Sequence, residues 1–301
     1  MKYILGFDGG GTKTECVLMN SAEQVLARTY GGPSNPSRIG VERAVRAVEE
    51  SANLALREVG MPRSAIHAIG AGLAGTTDAE RRERVRAGLQ TGFPGARITM
   101  LTDLEAALAA AGEGPAIVLV VGTGSAALGR NSAGKIARAG GYGRFGSDRG
   151  SAFDIGKRAV AAAMEGSGAD SELGKKILER LGCTEWSAVQ ERAQAKPDEI
   201  YPPLFPVIGE AADEGDATAQ RILRQAAGEV TLLVAEVAEE LQLGEKEFLL
   251  AKIGGTVGRS AYFDAQIDAG LQMVAPKATI GKLRISPAEA AALMAKGAND
   301  G

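Results

Sequence analysis

The sequence has few of the residues on which redox, metal or nucleic-acid chemistry usually depends. It contains two cysteines and one histidine among 301 residues, and 4% of its residues are aromatic. Cys16 and Cys183 lie far apart in the chain without C-x-x-C spacing, so we expect reduced thiols. The single His67 lies in an apolar run typical of a strand, and we assign it no catalytic role.

Charge and hydropathy exclude further classes of protein. The net charge of −3 leaves no basic excess, which argues against nucleic acid as the main partner. No apolar run approaches the length needed to span a membrane. The chain reaches Asp8 after a few apolar residues, unlike a signal peptide. We therefore expect a cytoplasmic protein that binds small molecules, with its oligomeric state, a homodimer included, left open.

The most informative stretch follows the first apolar run and reads Asp8-Gly9-Gly10-Gly11-Thr12-Lys13-Thr14. Successive glycines can turn backbone N–H groups toward a small anion, threonine hydroxyls can donate hydrogen bonds, and Lys13 adds positive charge. Asp8 could hold a metal ion through water, so the stretch suits phosphate with Mg²⁺. The alternative is a plain hairpin turn, which needs one or two glycines. Neither G-x-x-x-x-G-K-[ST] nor G-x-G-x-x-G fits this stretch.

Two polar residues in the first half are candidate ligands. Asn35 lies in a loop between two prolines, and its restricted backbone suits a side chain that binds a ligand, although an Asx turn explains it equally. Asp103 follows a predicted strand and precedes a predicted helix, where α/β sheets present ligand groups. A carboxylate there could accept the proton of an attacking hydroxyl or merely cap the helix.

The second half begins like the first. Gly112-Glu113-Gly114-Pro115 is the best candidate boundary, which predicts domains at 1–113 and 114–301. An apolar strand at 116–121 then leads into Gly122-Thr123-Gly124-Ser125, a second turn suited to an anion. The repetition predicts a duplicated α/β fold with the ligand between the halves.

Two later glycine-rich stretches are weaker signals. Gly141, Gly143 and Gly146 spell G-x-G-x-x-G, but no strong apolar strand precedes them and no helix begins at the third glycine, so we reject a dinucleotide site. The loop suits a sugar, with Asp148 offering two acceptors to hydroxyl groups or, alternatively, beginning the next helix. Gly254-Gly255-Thr256 follows another strand and would let adenine or ribose approach the backbone closely.

Five stretches together resemble the BadF/BadG/BcrA/BcrD-type ATPase family, in particular its N-acetylglucosamine kinase branch within the sugar kinase, Hsp70 and actin superfamily. They are Asp8-Gly9-Gly10-Gly11-Thr12, Ser34-Asn35, Thr102-Asp103, Gly122-Thr123-Gly124-Ser125, and Gly140-Gly141-Tyr142-Gly143 continuing to Asp148-Arg149-Gly150-Ser151. The resemblance implies an α/β fold of two RNase H-like domains that flank a cleft for ATP and sugar.

The resemblance also implies roles by position. The residues that would contact ATP are Gly10, Gly11, Thr12, Lys13, Gly122, Thr123 and Gly124 at the phosphates, and Gly254 and Gly255 at the adenosine. The residues that would hold the amino sugar are Asn35, Gly75, Asp103, Gly141, Tyr142 and Asp148. Asp103 would be the general base, and Asp8 would hold Mg²⁺ through water.

The resemblance implies phosphorylation of N-acetylglucosamine to its 6-phosphate. Glucosamine and a muramic-type sugar stay open as alternative substrates. A rival reading is a nucleotide-driven activator of the same family, which needs cysteine ligands for an iron–sulfur cluster. Neither Cys16 nor Cys183 is placed for that role. Glu289, in the last predicted helix, departs from the small residues usual there.

Overall fold

The computed structural model describes residues 2–142 and 148–297, so Gly143 and Gly146 lie outside the described residues. The chain forms two compact units. One comprises the chain up to Glu113 together with the segment that begins at Leu283, and the other extends from Gly114 to Lys282. None of the helices in the described ranges is long and apolar enough to cross a membrane.

The first unit is built on a five-stranded sheet within its described residues. Its strands are β1 (Tyr3–Gly9), β2 (Thr14–Asn20), β3 (Val25–Gly31), β4 (Ile66–Leu73) and β5 (Arg97–Leu101). The order across the sheet is β3-β2-β1-β4-β5. Strands β1 to β3 pair antiparallel, whereas β4 pairs parallel to both β1 and β5. The carboxyl ends of β1, β4 and β5 therefore share one edge.

Helices pack against both faces of this sheet. The helices are α1 (Pro36–Ile39), α2 (Val41–Glu58), α3 (Ala79–Gly92) and α4 (Asp103–Ala110), with a 3₁₀ turn at Arg63–Ala65. Helix α2 buries Val48, Ala52 and Leu56 at helical spacing, and α3 buries Val85 and Leu89. These side chains form one apolar core with the inward residues of β1, β2 and β4.

The second unit repeats the sheet topology. Its strands are β6 (Ala116–Val121), β7 (Ser125–Arg130), β8 (Ile136–Gly140), β9 (Phe248–Ile253) and β10 (Ala278–Gly281). The order is β10-β9-β6-β7-β8, with an antiparallel β6-β7-β8 meander and β9 parallel to β6 and β10. This is the arrangement of the first unit repeated, which confirms the predicted duplicated α/β fold.

The helices of the second unit lie mainly between β8 and β9. They are α5 (Ala152–Met164), α6 (Glu172–Leu181), α7 (Trp186–Ala195), α8 (Pro197–Ile200), α9 (Phe205–Asp213), α10 (Ala217–Glu240) and α11 (Ala261–Val274), with 3₁₀ turns at Gly166–Asp170 and Pro202–Leu204. Helix α10 packs against the meander and shares a large core with α9 and α11.

The last helix, α12 (Pro287–Gly297), packs in the first unit. The sequence-based boundary assigned 114–301 to the second domain, and the structure divides the chain differently after Lys282. The reason is a close fit of an alanine-rich helix on glycine-containing strands. A Cβ at Gly6 of β1 would lie 2.0 Å from the Ala288 carbonyl oxygen, and one at Gly70 of β4 would lie 1.8 Å from that of Ala291.

Candidate active site

The predicted site residues of the first unit cluster at the carboxyl ends of β1, β4 and β5. Asp8 lies near the end of β1, opposite Gly72 of β4 in the parallel register. Gly75 follows β4, and Asp103 follows β5 as the first residue of α4. The Ala74 N–H donates to the Gly9 carbonyl oxygen at 2.8 Å, which ties the first two strand ends together. This edge is where parallel sheets present ligand groups.

The first glycine-rich turn joins β1 to β2 and is anchored at its base. The Gly10 N–H donates to the Lys13 carbonyl oxygen at 3.0 Å, and the Ser34 N–H donates to the Gly10 carbonyl oxygen at 3.1 Å. The buried Thr14 hydroxyl donates to Ser34 Oγ at 2.7 Å. Gly11, Thr12 and Lys13 themselves are exposed. The turn is thus fixed below and open above, as an anion-binding loop requires.

The carboxyl of Asp8 is electrostatically perturbed. Burial, followed by repulsion from Asp103 and Glu15, raises its pKa to about 7, although Lys13 acts in the opposite direction. Nowhere in the described part of the chain do three or more Asp, Glu, His or Cys side chains form a metal cluster. Mg²⁺ commonly takes one or two protein carboxylates with waters and phosphate oxygens, so a carboxyl beside a predicted phosphate-binding turn fits that ion.

Asp103 is not the residue that caps α4. The N-cap is Thr102, whose hydroxyl accepts from the Glu105 N–H at 3.1 Å, while Glu105 Oε2 accepts from the Thr102 N–H at 2.6 Å. These two bonds form a reciprocal capping box. The alternative role of Asp103 as a helix cap is therefore wrong. Its half-buried carboxyl repels that of Asp8 and so contributes, after burial, to the raised pKa of Asp8.

The structure confirms the Asx-turn alternative for Asn35, and its role in binding a ligand stays a prediction. Its Oδ1 caps α1 and accepts from the Ser37 N–H at 3.0 Å and the Ser37 hydroxyl at 2.7 Å. Its Nδ2 donates to no protein acceptor within the described residues. Gly75, with φ +81°, lies directly against it, because a Cβ there would be 2.1 Å from Asn35 Oδ1. The cap fixes an amide whose two N–H donors can meet a ligand.

The second glycine-rich turn connects β6 to β7. The Gly122 N–H donates to the Gly124 carbonyl oxygen at 2.9 Å, and Thr123 is half-buried. Asp148 lies beside this turn: the Ser125 N–H donates to its Oδ1 at 3.3 Å, and a Cβ at Gly124 would lie 2.7 Å from the same oxygen. Asp148, predicted to bind the sugar, is thus in contact with the turn predicted to bind phosphate.

The turn after β9 packs on the same strand end. Thr256 donates its hydroxyl to the Val121 carbonyl oxygen at 2.6 Å. Gly254 has φ +119°, and a Cβ there would lie 2.2 Å from that oxygen, so only glycine fits. Gly255 is exposed, and its own Cβ position meets no atom within 4 Å. The predicted phosphate and adenosine turns of the second unit are neighbours.

Gly141 and Tyr142 follow β8 and are organised by Arg138. The Arg138 guanidinium donates to the carbonyl oxygens of Gly140 at 3.1 Å and Gly141 at 2.5 Å. It also lies 5.1 Å from the ring centroid of Tyr142, a cation–π contact. The Tyr142 side chain is exposed, which suits a residue that contacts a ligand.

Sequence reasoning missed two arginines near the first-unit cluster. A Cβ at Gly11 would lie 3.2 Å from Arg38 Nη1, so this guanidinium borders the first glycine-rich turn. Arg81 Nη1 donates to the Gly75 carbonyl oxygen at 3.1 Å. Arg38 lies in the short helix α1 and Arg81 in the first turn of α3, both outside the glycine-rich motifs, and the chain contains many other arginines. No local pattern distinguishes these two.

The cysteines do not support the iron–sulfur reading. Cys16 is fully buried in β2, and burial strongly raises the pKa of its thiol, so the thiolate that a cluster needs is disfavoured. Cys183 lies between α6 and α7, where the Arg192 guanidinium contacts its sulfur at 3.1 Å. Both are free thiols.

The chain is similar to known proteins over nearly its whole length. The model of the BadF/BadG/BcrA/BcrD ATPase family matches residues 5–295. An N-acetylmuramic acid/N-acetylglucosamine kinase of Clostridium acetobutylicum is 31% identical over 98% of this chain and 99% of the relative. An N-acetyl-D-glucosamine kinase of Dictyostelium discoideum is 29% identical over 98% of each chain. The crystal structure of a candidate N-acetylglucosamine kinase from Chromobacterium violaceum superposes with a TM-score of 0.80 at 26% identity, covering 98% of this chain and 99% of that one.

Proposed function

This chain belongs to the BadF/BadG/BcrA/BcrD ATPase family, and on that premise we propose that it is an ATP-dependent amino-sugar kinase. The relatives named above as kinases of N-acetylated amino sugars support this activity. The first substrate to test is N-acetylglucosamine, with transfer to its primary hydroxyl. A cytoplasmic location is part of the proposal, because ATP is available there.

The observation that carries the proposal is the position of Asp103. Its carboxyl lies at a strand end beside Asp8, and Thr102 satisfies the helix terminus in its place. As general base, Asp103 would take the proton of the sugar hydroxyl while that oxygen forms a bond to the γ-phosphorus. The bond between the γ-phosphorus and the β–γ bridging oxygen breaks, and ADP leaves.

The remaining site residues have supporting roles in this proposal. Backbone N–H groups of the two glycine-rich turns, with the hydroxyls of Thr12 and Thr123, would hold phosphate oxygens. Asp8 would hold Mg²⁺ through water, and the ion would neutralise charge on the transferred group. Asn35 and Gly75 would contact the sugar together with Gly141, Tyr142 and Asp148, while Gly254 and Gly255 would flank the adenosine.

An ATP-consumption screen tests the function. The full chain with MgATP is incubated with N-acetylglucosamine, glucosamine, N-acetylmuramic acid and glucose, with a sugar-free control for background hydrolysis. We expect at least one amino sugar to stimulate ADP release well above background and to yield a 6-phosphate detected by mass spectrometry. ADP release that is the same with and without every amino sugar would reject the kinase and favour an activator-type ATPase.

A further inference from the structure

Arg81 lies next to Gly75 and Asn35, which the proposed function assigns to sugar binding. Its Nη1 donates to the carbonyl oxygen of Gly75 at 3.1 Å, and Gly75 packs directly on Asn35 Oδ1. The guanidinium is therefore one residue away from the amide proposed to bind the sugar. Arg81 is half-buried and belongs to the first turn of α3. Asp78, the N-cap of that helix, accepts the Arg81 backbone N–H at 2.8 Å.

The charge of Arg81 is not neutralised by an ion pair within the described residues, in contrast to its neighbour. Arg82 donates to the Thr76 carbonyl oxygen at 2.9 Å and lies 3.7 Å from Glu105. The Arg81 guanidinium, by comparison, has one hydrogen bond, to Gly75, and no carboxylate at ion-pair distance in the parts of the chain described. A guanidinium has five N–H donors, so most of its donors remain for a ligand.

The chemistry of a guanidinium indicates which ligand it would take. Its planar fork matches a carboxylate with two parallel hydrogen bonds, and it repels a cation. The candidate amino sugars differ in charge at neighbouring ring carbons. Glucosamine carries an ammonium group at C2, N-acetylglucosamine is neutral there, and N-acetylmuramic acid adds a carboxylate through an ether at C3. One guanidinium beside Asn35 can distinguish all three.

We propose that Arg81 selects the sugar by charge, favouring an amino sugar with a carboxylate-bearing ether substituent and disfavouring a free amine. The proposal rests on the proposed function and adds a substrate class to it. It assigns Arg81 a role in binding and specificity and leaves the proton transfer to Asp103.

The test compares kcat and KM for the three sugars in the wild-type chain, Arg81→Gln and Arg81→Lys. For N-acetylmuramic acid, we expect Arg81→Gln to lower kcat/KM by about 10–100-fold, mostly through KM, which is the usual effect of losing a charge-assisted hydrogen bond. N-acetylglucosamine should change by less than about threefold, and glucosamine should improve. Arg81→Lys keeps the positive charge but loses the planar guanidinium, so its kcat/KM for each sugar should lie between those of the wild type and Arg81→Gln. Arg84→Gln, which removes a charge from the exposed surface of the same helix, is the matched control.

The opposite signs for anionic and cationic sugars separate charge selection from damage to the loop. An equal loss of kcat/KM for all three sugars in Arg81→Gln would mean that Arg81 only supports Gly75, and it would overturn the proposal. So would a wild-type enzyme that phosphorylates N-acetylglucosamine but neither binds nor phosphorylates N-acetylmuramic acid, although the kinase function would then stand. If Arg81→Gln does not fold, the same comparison is made with Arg81→Lys.

If the chain turns over no sugar, the binding of each sugar is measured by calorimetric titration with a non-hydrolysable ATP analogue present. Binding of N-acetylmuramic acid that weakens in Arg81→Gln would support charge selection even without turnover. No binding of any amino sugar would overturn both the specificity and the kinase function.

Discussion

Replacing Asp103 by asparagine removes the proposed base while preserving the fold around it. Both hydrogen bonds of the capping box belong to Thr102 and Glu105, at 3.1 and 2.6 Å, and neither uses the Asp103 side chain. We therefore expect the free energy of unfolding to change by less than about 1 kcal/mol. Because the Asp103 charge contributes to the raised pKa of Asp8, removing that charge should stabilise the folded chain near neutral pH.

Catalysis should respond very differently. Asparagine keeps the shape and one acceptor oxygen but cannot take the proton, so kcat should fall by roughly 10²–10⁴-fold, the usual contribution of a positioned base. That range corresponds to about 3–5 kcal/mol of the activation barrier. The assay measures ADP release at saturating MgATP and sugar, with thermal unfolding and nucleotide binding followed on the same preparations. Nucleotide affinity should be retained, because both glycine-rich turns are unchanged.

Thr102→Ala is the matched control, because it removes the cap and keeps the carboxylate. It should cost about 0.5–2 kcal/mol of stability, the usual value for a lost N-cap, with a kcat within a few-fold of the wild type. Asp103→Asn should thus lower turnover and leave stability nearly unchanged, whereas Thr102→Ala should lower stability and leave turnover nearly unchanged. Near-wild-type turnover in folded Asp103→Asn would refute the base, and a kcat loss in Thr102→Ala as large as that in Asp103→Asn would refute the separation of the two roles.

Two further predictions concern the metal site and the adenosine turn. The folded-state pKa of Asp8 is raised from 3.8 to about 7, so its contribution to stability is complete below pH 4 and is lost as the pH rises toward 7. In EDTA, the melting temperature of the wild-type chain should therefore fall between pH 4 and 7 by more than that of Asp8→Asn. At pH 8, added Mg²⁺ should raise the melting temperature of the wild type and leave that of Asp8→Asn unchanged. Parallel melting profiles of the two chains would contradict this. At the adenosine turn, Gly254→Ala should destabilise the fold because its Cβ would meet the Val121 carbonyl oxygen at 2.2 Å, whereas Gly255→Ala should leave the melting temperature unchanged and raise KM for ATP. Equal melting temperatures for the two alanine variants would reject this packing argument.

The parts of the site that sequence reasoning predicts are those encoded by short contiguous patterns. An apolar strand followed by glycines and threonine identifies both turns, because the backbone geometry of such a turn depends on its own residues. The local sequence was also enough to show that Asp103 does not cap α4. Thr102 and Glu105 have the T-x-x-E spacing of a capping box, which the structure shows to be formed.

The placement of α12 could not be predicted in that way. It depends on Gly6 and Gly70 leaving space at the sheet surface for Ala288 and Ala291, residues more than 200 positions away in the chain. Glu289 shows the same dependence on distant residues, since it forms an ion pair with Arg28, which also pairs with Glu15. No periodicity within the last helix reveals which sheet it will cover.

The charge distribution around the first glycine-rich turn bears on the form in which ATP would bind there under the proposed function. Burial, followed by repulsion from Asp103 and Glu15, raises the pKa of Asp8 to about 7. Lys13 offsets this only in part, and its ammonium group lies 5.2 Å from the centroid of the Tyr30 ring. Unaccompanied phosphate oxygens would add more negative charge to this cluster. A divalent cation that arrives with the nucleotide converts that repulsion into attraction, because it interacts with carboxylate and phosphate together. Under the proposed function we therefore expect the first unit to bind the magnesium complex of ATP rather than the free nucleotide.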